Sequence, residues 1–152
     1  EDYSSLITAR TNNESIEYLK NLITGLEIIP IEIKKSNTNI YENTLHLDCC
    51  FQSISKHNAI ICPDGFKNIN DVNLITKIFG KENIYEATLE EYSQLTSNVL
   101  VISPDVIISH SKFKRLNNWL RDKGVLVEEV DYTNVSKMSG LFRCSTLPLN
   151  RE

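Results

Sequence analysis

The chain has 152 residues, 41% of them hydrophobic and 24% charged, with a net charge of −4 at pH 7. That length supports a single domain, residues 1–152, with its own core. The charge carries no basic block, which excludes a nucleic-acid surface built on clustered Lys and Arg, and no apolar run nears the ~18 residues of a membrane span.

Glu1-Asp2-Tyr3 is the opposite of the basic start of a secretory signal. The next residues, 4–9, read as a strand already under way with no turn or cap before it, which suggests a piece of something longer. A first helix is predicted over 15–26, where Ile16, Leu19, Leu22, Ile23 and Leu26 recur at helical intervals. Asn12, Asn13 and Ser15 offer N-caps, and Gly25 marks the end. A strand follows over 27–33.

Residues 45–54 and 59–62 read as two strands joined by a polar turn at 55–58. A second helix over 70–79 carries Val72, Ile75, Ile78 and Phe79, with Asn70 or Asp71 as cap and Gly80 as stop. It leads into a strand over 82–88. The same order returns downstream: strands over 98–103 and 106–109 joined by Pro104-Asp105, a helix over 111–123, Gly124 at its C′ position, and a strand over 125–130. In that helix Phe113, Leu116 and Leu120 form the stripe, with Trp119 beside it. A last strand holds Cys144.

The chain therefore reads as (β)αβ, then ββαβ twice, then one strand. Gly25, Gly80 and Gly124 end the three helices 55 and 44 residues apart, a repeat of architecture without identity of residues. Such a unit cannot bury both faces of its sheet alone, so several are expected to stack around a common axis. Partial units at both ends fit a piece of a ring.

Among the four cysteines no CxxC or Cys/His zinc spacing occurs, so no metal site is expected. They read as reduced thiols of a cytoplasmic protein. Cys49, Cys50 and Cys62 read as packing. Cys144 stands in Gly-Leu-Phe-Arg-Cys-Ser-Thr, between short apolar runs, 98 residues after His46 in Leu-His-Leu-Asp. A cysteine with a distant histidine and carboxylate is the minimum set for thiolate covalent catalysis. On a strand Asp48 would share a face with His46, a pattern that fits a site lining and equally a solvent face. Arg143 would point away from Cys144, and His57 and His110, in or beside polar turns, read as solvated.

Four fragments in order carry a resemblance. Ala9-Arg10-Thr11-Asn12, Leu45-His46-Leu47-Asp48, Asn98-Val99-Leu100 and Gly140-Leu-Phe-Arg-Cys144-Ser-Thr are similar to motifs of the amidinotransferase, arginine deiminase and dimethylarginine dimethylaminohydrolase superfamily. That resemblance implies an α/β fold, the pentein, a pseudo-fivefold propeller of ββαβ modules, of which this chain would hold an incomplete, C-terminal set. It implies Cys144 as nucleophile on a guanidino carbon and His46 as acid and base. Asp48 would bind guanidinium nitrogens, Arg10 the substrate carboxylate, and Asn98 a polar group of the substrate. It implies no metal and no organic cofactor.

The implied partners are a small-molecule guanidino substrate and the missing N-terminal modules, in the same protein or in a partner chain. Exposed sheet edges add an expectation of homo-oligomers. The chain departs from the family in two places. Its glycine-rich run before the cysteine is reduced to Gly140, and Ser139 stands where many arginine deiminases carry arginine. Dimethylarginine hydrolases commonly have a lysine where Asp48 stands. A carboxylate there suits the N–H donors of an unmethylated guanidinium, which favours an amidinotransferase or arginine deiminase over a dimethylarginine hydrolase. The reading from another class is a non-catalytic interaction domain or remnant that lacks part of the site.

Overall fold

In a computed structural model that describes residues 11–25, 27–36, 38–147 and 149, the first element is helix α1 (Asn13–Leu22). It begins two residues before the predicted start because Asn12 and Ser15 form a reciprocal capping box. Asn12 Oδ1 accepts the Ser15 N–H at 2.9 Å, and Ser15 Oγ accepts the Asn12 N–H at 3.1 Å. Ile16 packs inward, while Leu19 and Leu22 of the same stripe stay exposed. The strand expected over 27–33 is not formed as a ladder. Ile33 makes one isolated antiparallel bridge to Phe66. The expected opening strand, 4–9, lies outside the described residues.

From residue 51 the repeat predicted from the sequence takes shape. Strand β1 (Phe51–Ser53) pairs antiparallel with β2 (Ala59–Ile61). Ser55 Oγ closes the turn between them by accepting the N–H groups of His57 and Asn58, each at 3.1 Å. Helix α2 (Ile69–Phe79) then crosses to β3 (Ile84–Glu86), which lies parallel to β2. A short helix not foreseen from the sequence, α3 (Leu89–Ser93), separates the units. The second unit repeats the first. Strand β4 (Leu100–Ser103) pairs antiparallel with β5 (Val106–His110), helix α4 (Lys114–Asp122) crosses, and β6 (Leu126–Val130) runs parallel to β5. Among the described residues the result is two three-stranded sheets, β1-β2-β3 and β4-β5-β6. A four-residue helix, α5 (Thr133–Ser136), precedes the last turns.

Two predicted strands are corrected, and both bear on the site. Residues 45–54 do not run as one strand. Leu47–Cys49 wind into a 3₁₀ turn, closed by Cys49 N–H to His46 O and Cys50 N–H to Leu47 O, both at 3.0 Å, and only Phe51–Ser53 are strand. The partner β2 is three residues long, and beyond it the pairing reaches back by one bond, from Cys62 N–H to the Cys50 carbonyl at 2.7 Å. Cys144 is not on a strand either. It lies in a 3₁₀ turn, Arg143–Ser145.

The core runs through both units. Ile60, Ile61, Ile107, Leu116, Leu120 and Leu141 are sealed from solvent. The units are clamped together by Arg115 on α4. Its Nε donates to Glu91 at 2.9 Å, its Nη2 to Glu91 and to the Glu86 carbonyl, and its guanidinium lies 4.3 Å over the Tyr85 ring. The Tyr85 hydroxyl donates to the same carboxylate at 2.6 Å. Burial alone would raise the Glu91 carboxyl. The bonds from Arg115, Tyr85 and the Thr88 N–H outweigh burial and hold it at about 2.

Two expectations follow. A carboxyl lowered in the folded state stabilises above its unfolded value of about 4.5 and loses that contribution as pH falls towards 2. Acid unfolding followed by circular dichroism should therefore show a steep loss of stability in that window. Glu91→Gln should remove roughly 2 kcal/mol of it, after allowance for the exposed guanidinium. Gly65 sits where an added Cβ would stand 2.4 Å from Cys50 Cβ. Gly65→Ala should cost about 1–3 kcal/mol in urea denaturation by overpacking that contact.

Candidate active site

Two short turns, each just after buried anchors, carry the candidate side chains His46 and Cys144. Thr44 is sealed in the core, where its hydroxyl donates to the Gly65 carbonyl at 3.0 Å and meets the Tyr92 hydroxyl at 2.6 Å. Two residues on, His46 is exposed and begins the Leu47–Cys49 turn. Leu141 and Phe142 are buried, with Phe142 stacked on Tyr132 at 4.4 Å between ring centroids. Two residues on, Cys144 is exposed. Gly140 allows this sharp approach, since a Cβ there would stand 3.1 Å from Cys144 Cβ. Ser145 Oγ and Thr146 Oγ1 donate back to the Leu141 and Phe142 carbonyls, each at 2.8 Å, and close the turn.

His46 and Cys144 line the same cleft, a space of about 580 Å³ shared with Asn43, Leu45, Cys49 and Lys112 among others. Asp48 does not line it. Its side chain borders a neighbouring hollow of about 440 Å³ together with His46 and Arg143. His46 thus stands between the two spaces. Arg143, which the sequence placed as structural or solvent-facing, is half-buried and lines the hollow. Asn98 does not line the cleft. It is fully buried, and its Oδ1 accepts the Cys144 N–H at 3.3 Å. Ser97, also fully buried, donates from Oγ to the Asp48 carbonyl at 3.0 Å. Arg10 lies outside the described residues.

The four thiols are all free, and their surroundings separate them. Burial pushes the Cys49 thiol up to about 11 and Cys62 to about 12, and raises Cys50 as well. Negative charge on Asp48 and Cys144 adds to the shift at Cys49. Cys144 alone of the four is exposed. Among the described residues no group of three His, Cys, Asp or Glu side chains could hold a metal ion, and no helix is long and apolar enough to cross a membrane.

His110 corrects the expectation that it is solvated. It is 1% exposed at the end of β5, its ring against Phe113 and its carbonyl bonded by Asn117 Nδ2 at 3.1 Å. Burial lowers its pKa, with Lys112 adding to the shift. Its Nδ1 accepts the Lys112 N–H at 3.2 Å.

Sequence reasoning missed Ser97, Lys112 and the placement of Arg143. Lys112 and Ser97 belong to no motif. Arg143 was misplaced because a strand sends neighbouring side chains to opposite faces, whereas a 3₁₀ turn does not.

Residues 3–151 match the family model described as N,N dimethylarginine dimethylhydrolase, eukaryotic. The chain belongs to this family. YkgA of Bacillus subtilis is 30% identical over 145 residues, 95% of this chain and 47% of YkgA. The arginine deiminase of Staphylococcus aureus is 25% identical over 180 residues, 96% of this chain and 44% of the deiminase. The structure of SxtG, an amidinotransferase from Microseira wollei in the saxitoxin biosynthetic pathway, superposes with a TM-score of 0.70 at 21% identity, over 93% of this chain and 42% of SxtG. The family membership and these likenesses place the chain in the guanidino-modifying superfamily. The chain spans about half the length of the curated relatives it matches.

The thiol environments generate a direct expectation. Titration of the native protein with a chromogenic disulfide at pH 8 should give one fast thiol, with Cys49, Cys50 and Cys62 reacting only on denaturation. Cys144→Ser should abolish the fast phase.

Proposed function

We propose that the chain carries the nucleophile and histidine of an enzyme that acts on the guanidino group of arginine or a related compound through a covalent Cys-amidino intermediate. The observation that carries this reading is that His46 and the exposed Cys144, 98 residues apart, line one cleft. The two ββαβ units would be consecutive blades of a pentein propeller whose remaining modules complete the pocket.

A guanidinium carbon is a poor electrophile because resonance spreads its charge, and a thiolate is the side-chain nucleophile best suited to it. The Cys144 sulfur bonds to that carbon and a C–N bond breaks as His46 gives a proton to the departing amine. An amidino-thioether remains on Cys144. His46, now neutral, takes a proton from the incoming water or amine as that nucleophile bonds to the same carbon, and the C–S bond breaks.

If ammonia departs first and water follows, the reaction is a deiminase reaction. If the alkylamine departs and a second amine follows, it is an amidino transfer. Asp48 would pair with the guanidinium N–H groups from the hollow beside His46. Arg143 in the same hollow and Arg10 before α1 supply positive charge for a substrate carboxylate.

The family match favours a second reading, hydrolysis of dimethylarginine with dimethylamine as the departing group. Asp48 opposes it. Methylation removes N–H donors and would leave the carboxylate partly unpaired, at about 1–3 kcal/mol.

The test uses the full-length protein with arginine, agmatine and dimethylarginine, and identifies the released amine. Ammonia or an alkylamine from an unmethylated substrate is expected, and turnover of dimethylarginine alone would transfer the assignment to the second reading. His46→Ala should lower turnover by about 10²–10⁴-fold. 2-Chloroacetamidine should label Cys144 rapidly, and His46→Ala should abolish that selectivity. Equal labelling of all four thiols would mark a non-catalytic remnant.

A further inference from the structure

We propose that Ser97 and Asn98 are a positioning pair that sets the nucleophile turn against the histidine turn. Asn98 holds Cys144 through its amide oxygen, and Ser97 holds the Leu47–Cys49 turn through the Asp48 carbonyl. The proposal rests on the reading of Cys144 as nucleophile and His46 as its acid and base.

Four observations carry it. Both residues are 0% exposed, and neither lines the cleft, so they act through the turns they bond. The first N–H groups of a helical turn have no partner within that turn. Asn98 Oδ1 supplies one to Cys144 at 3.3 Å from 46 residues away in sequence. The Asn98 Nδ2 has no partner among the described residues. A buried amide with its donor unspent is costly, so packing alone would be better served by a leucine, and the oxygen is the atom the site uses. The pair is also itself fixed. Thr96 N–H and Oγ1 both donate to the carbonyl of Glu91 within α3, at 3.1 and 2.8 Å, and Asn98 N–H donates to the Leu95 carbonyl at 2.9 Å.

Consecutive Cα atoms are about 3.8 Å apart across a trans peptide. Two turns bonded to adjacent residues are therefore held to one short, rigid reference. Displacing a nucleophile by about 1 Å can cost on the order of 10²-fold in rate. The two bonds govern the approach of sulfur and imidazole to one carbon.

The experiment compares wild type, Asn98→Leu, Asn98→Asp and Ser97→Ala as full-length proteins. It reads the maximal rate (kinact) and half-saturation (KI) of Cys144 labelling by 2-chloroacetamidine across pH, amide exchange in residues 143–146, and the thermal midpoint. Asn98→Leu should lower kinact about tenfold or more at every pH with KI nearly unchanged, and should speed exchange at Cys144. Asn98→Asp keeps the acceptor oxygen. It should restore most of kinact, with the profile displaced to higher pH because the added carboxylate opposes the thiolate. Ser97→Ala should lower kinact while leaving exchange at Cys144 protected.

A folded Asn98→Leu protein with the wild-type kinact and pH profile would overturn the proposal. So would an Asn98→Asp protein as slow as the leucine variant at every pH. If Asn98→Leu does not fold, the aspartate and Ser97→Ala variants decide. A wild-type protein whose Cys144 is not labelled selectively overturns the nucleophile reading instead, while amide exchange still reads the Asn98 bond.

Discussion

Two hydrogen bonds from adjacent buried residues, Ser97 to the Asp48 carbonyl and Cys144 N–H to Asn98, tie together segments that are distant in sequence. The segment that carries them is bonded in turn to its neighbours. The turn that carries Ser97 and Asn98 hangs from the C-terminal end of α3, and the capping box of Thr88 and Glu91 fixes the start of that helix. Glu91 also receives Arg115 from the second unit. One carboxylate therefore caps the linking helix, clamps the two units and stiffens the segment to which both site turns are bonded. Its low pKa follows from those duties, since each partner stabilises the charged form.

The repeat was legible in the sequence because helix periodicity and stopping glycines are local signals. Gly80 and Gly124 adopt positive φ just after α2 and just after the last turn of α4, as their place in the pattern required. Strand length was less legible. Residues 45–54 alternate like a strand, but a ladder is as long as its partner, and β2 is three residues. The N–H groups of Cys49 and Cys50 turn inward to carbonyls three residues back. Helix α3 did have a signal, Thr88-Leu-Glu-Glu91, the spacing of a capping box, although the helix is too short for a hydrophobic period to show.

The candidate site was legible as residue types and only partly as geometry. Cys144 and His46 could be paired by motif and by their place in the repeat. The sequence could not say that Asn98 lies behind the thiol or that Asp48 and Arg143 share a hollow on the far side of His46. Those facts depend on the conformation of two 3₁₀ turns, in which side chains fan out instead of alternating. The distinction among four cysteines is likewise tertiary. Cys49 lines the same cleft as Cys144, yet burial keeps its sulfur protonated, so proximity to the site does not by itself make a nucleophile.

Both candidate residues follow the same local plan, and the plan explains how exposed side chains on turns can be placed accurately. His46 comes two residues after Thr44, which is bonded on two sides in the core. Cys144 comes two residues after Phe142, which is stacked on Tyr132. A lever of two residues spans at most about 7 Å, so an exposed tip inherits most of the order of its buried root. A longer lever would need bonds to its own tip, and a strand would have sealed one reactive group in every two against the sheet. Turns rooted in the core leave the sulfur and the imidazole open to one cleft while the atoms behind them are held by the fold.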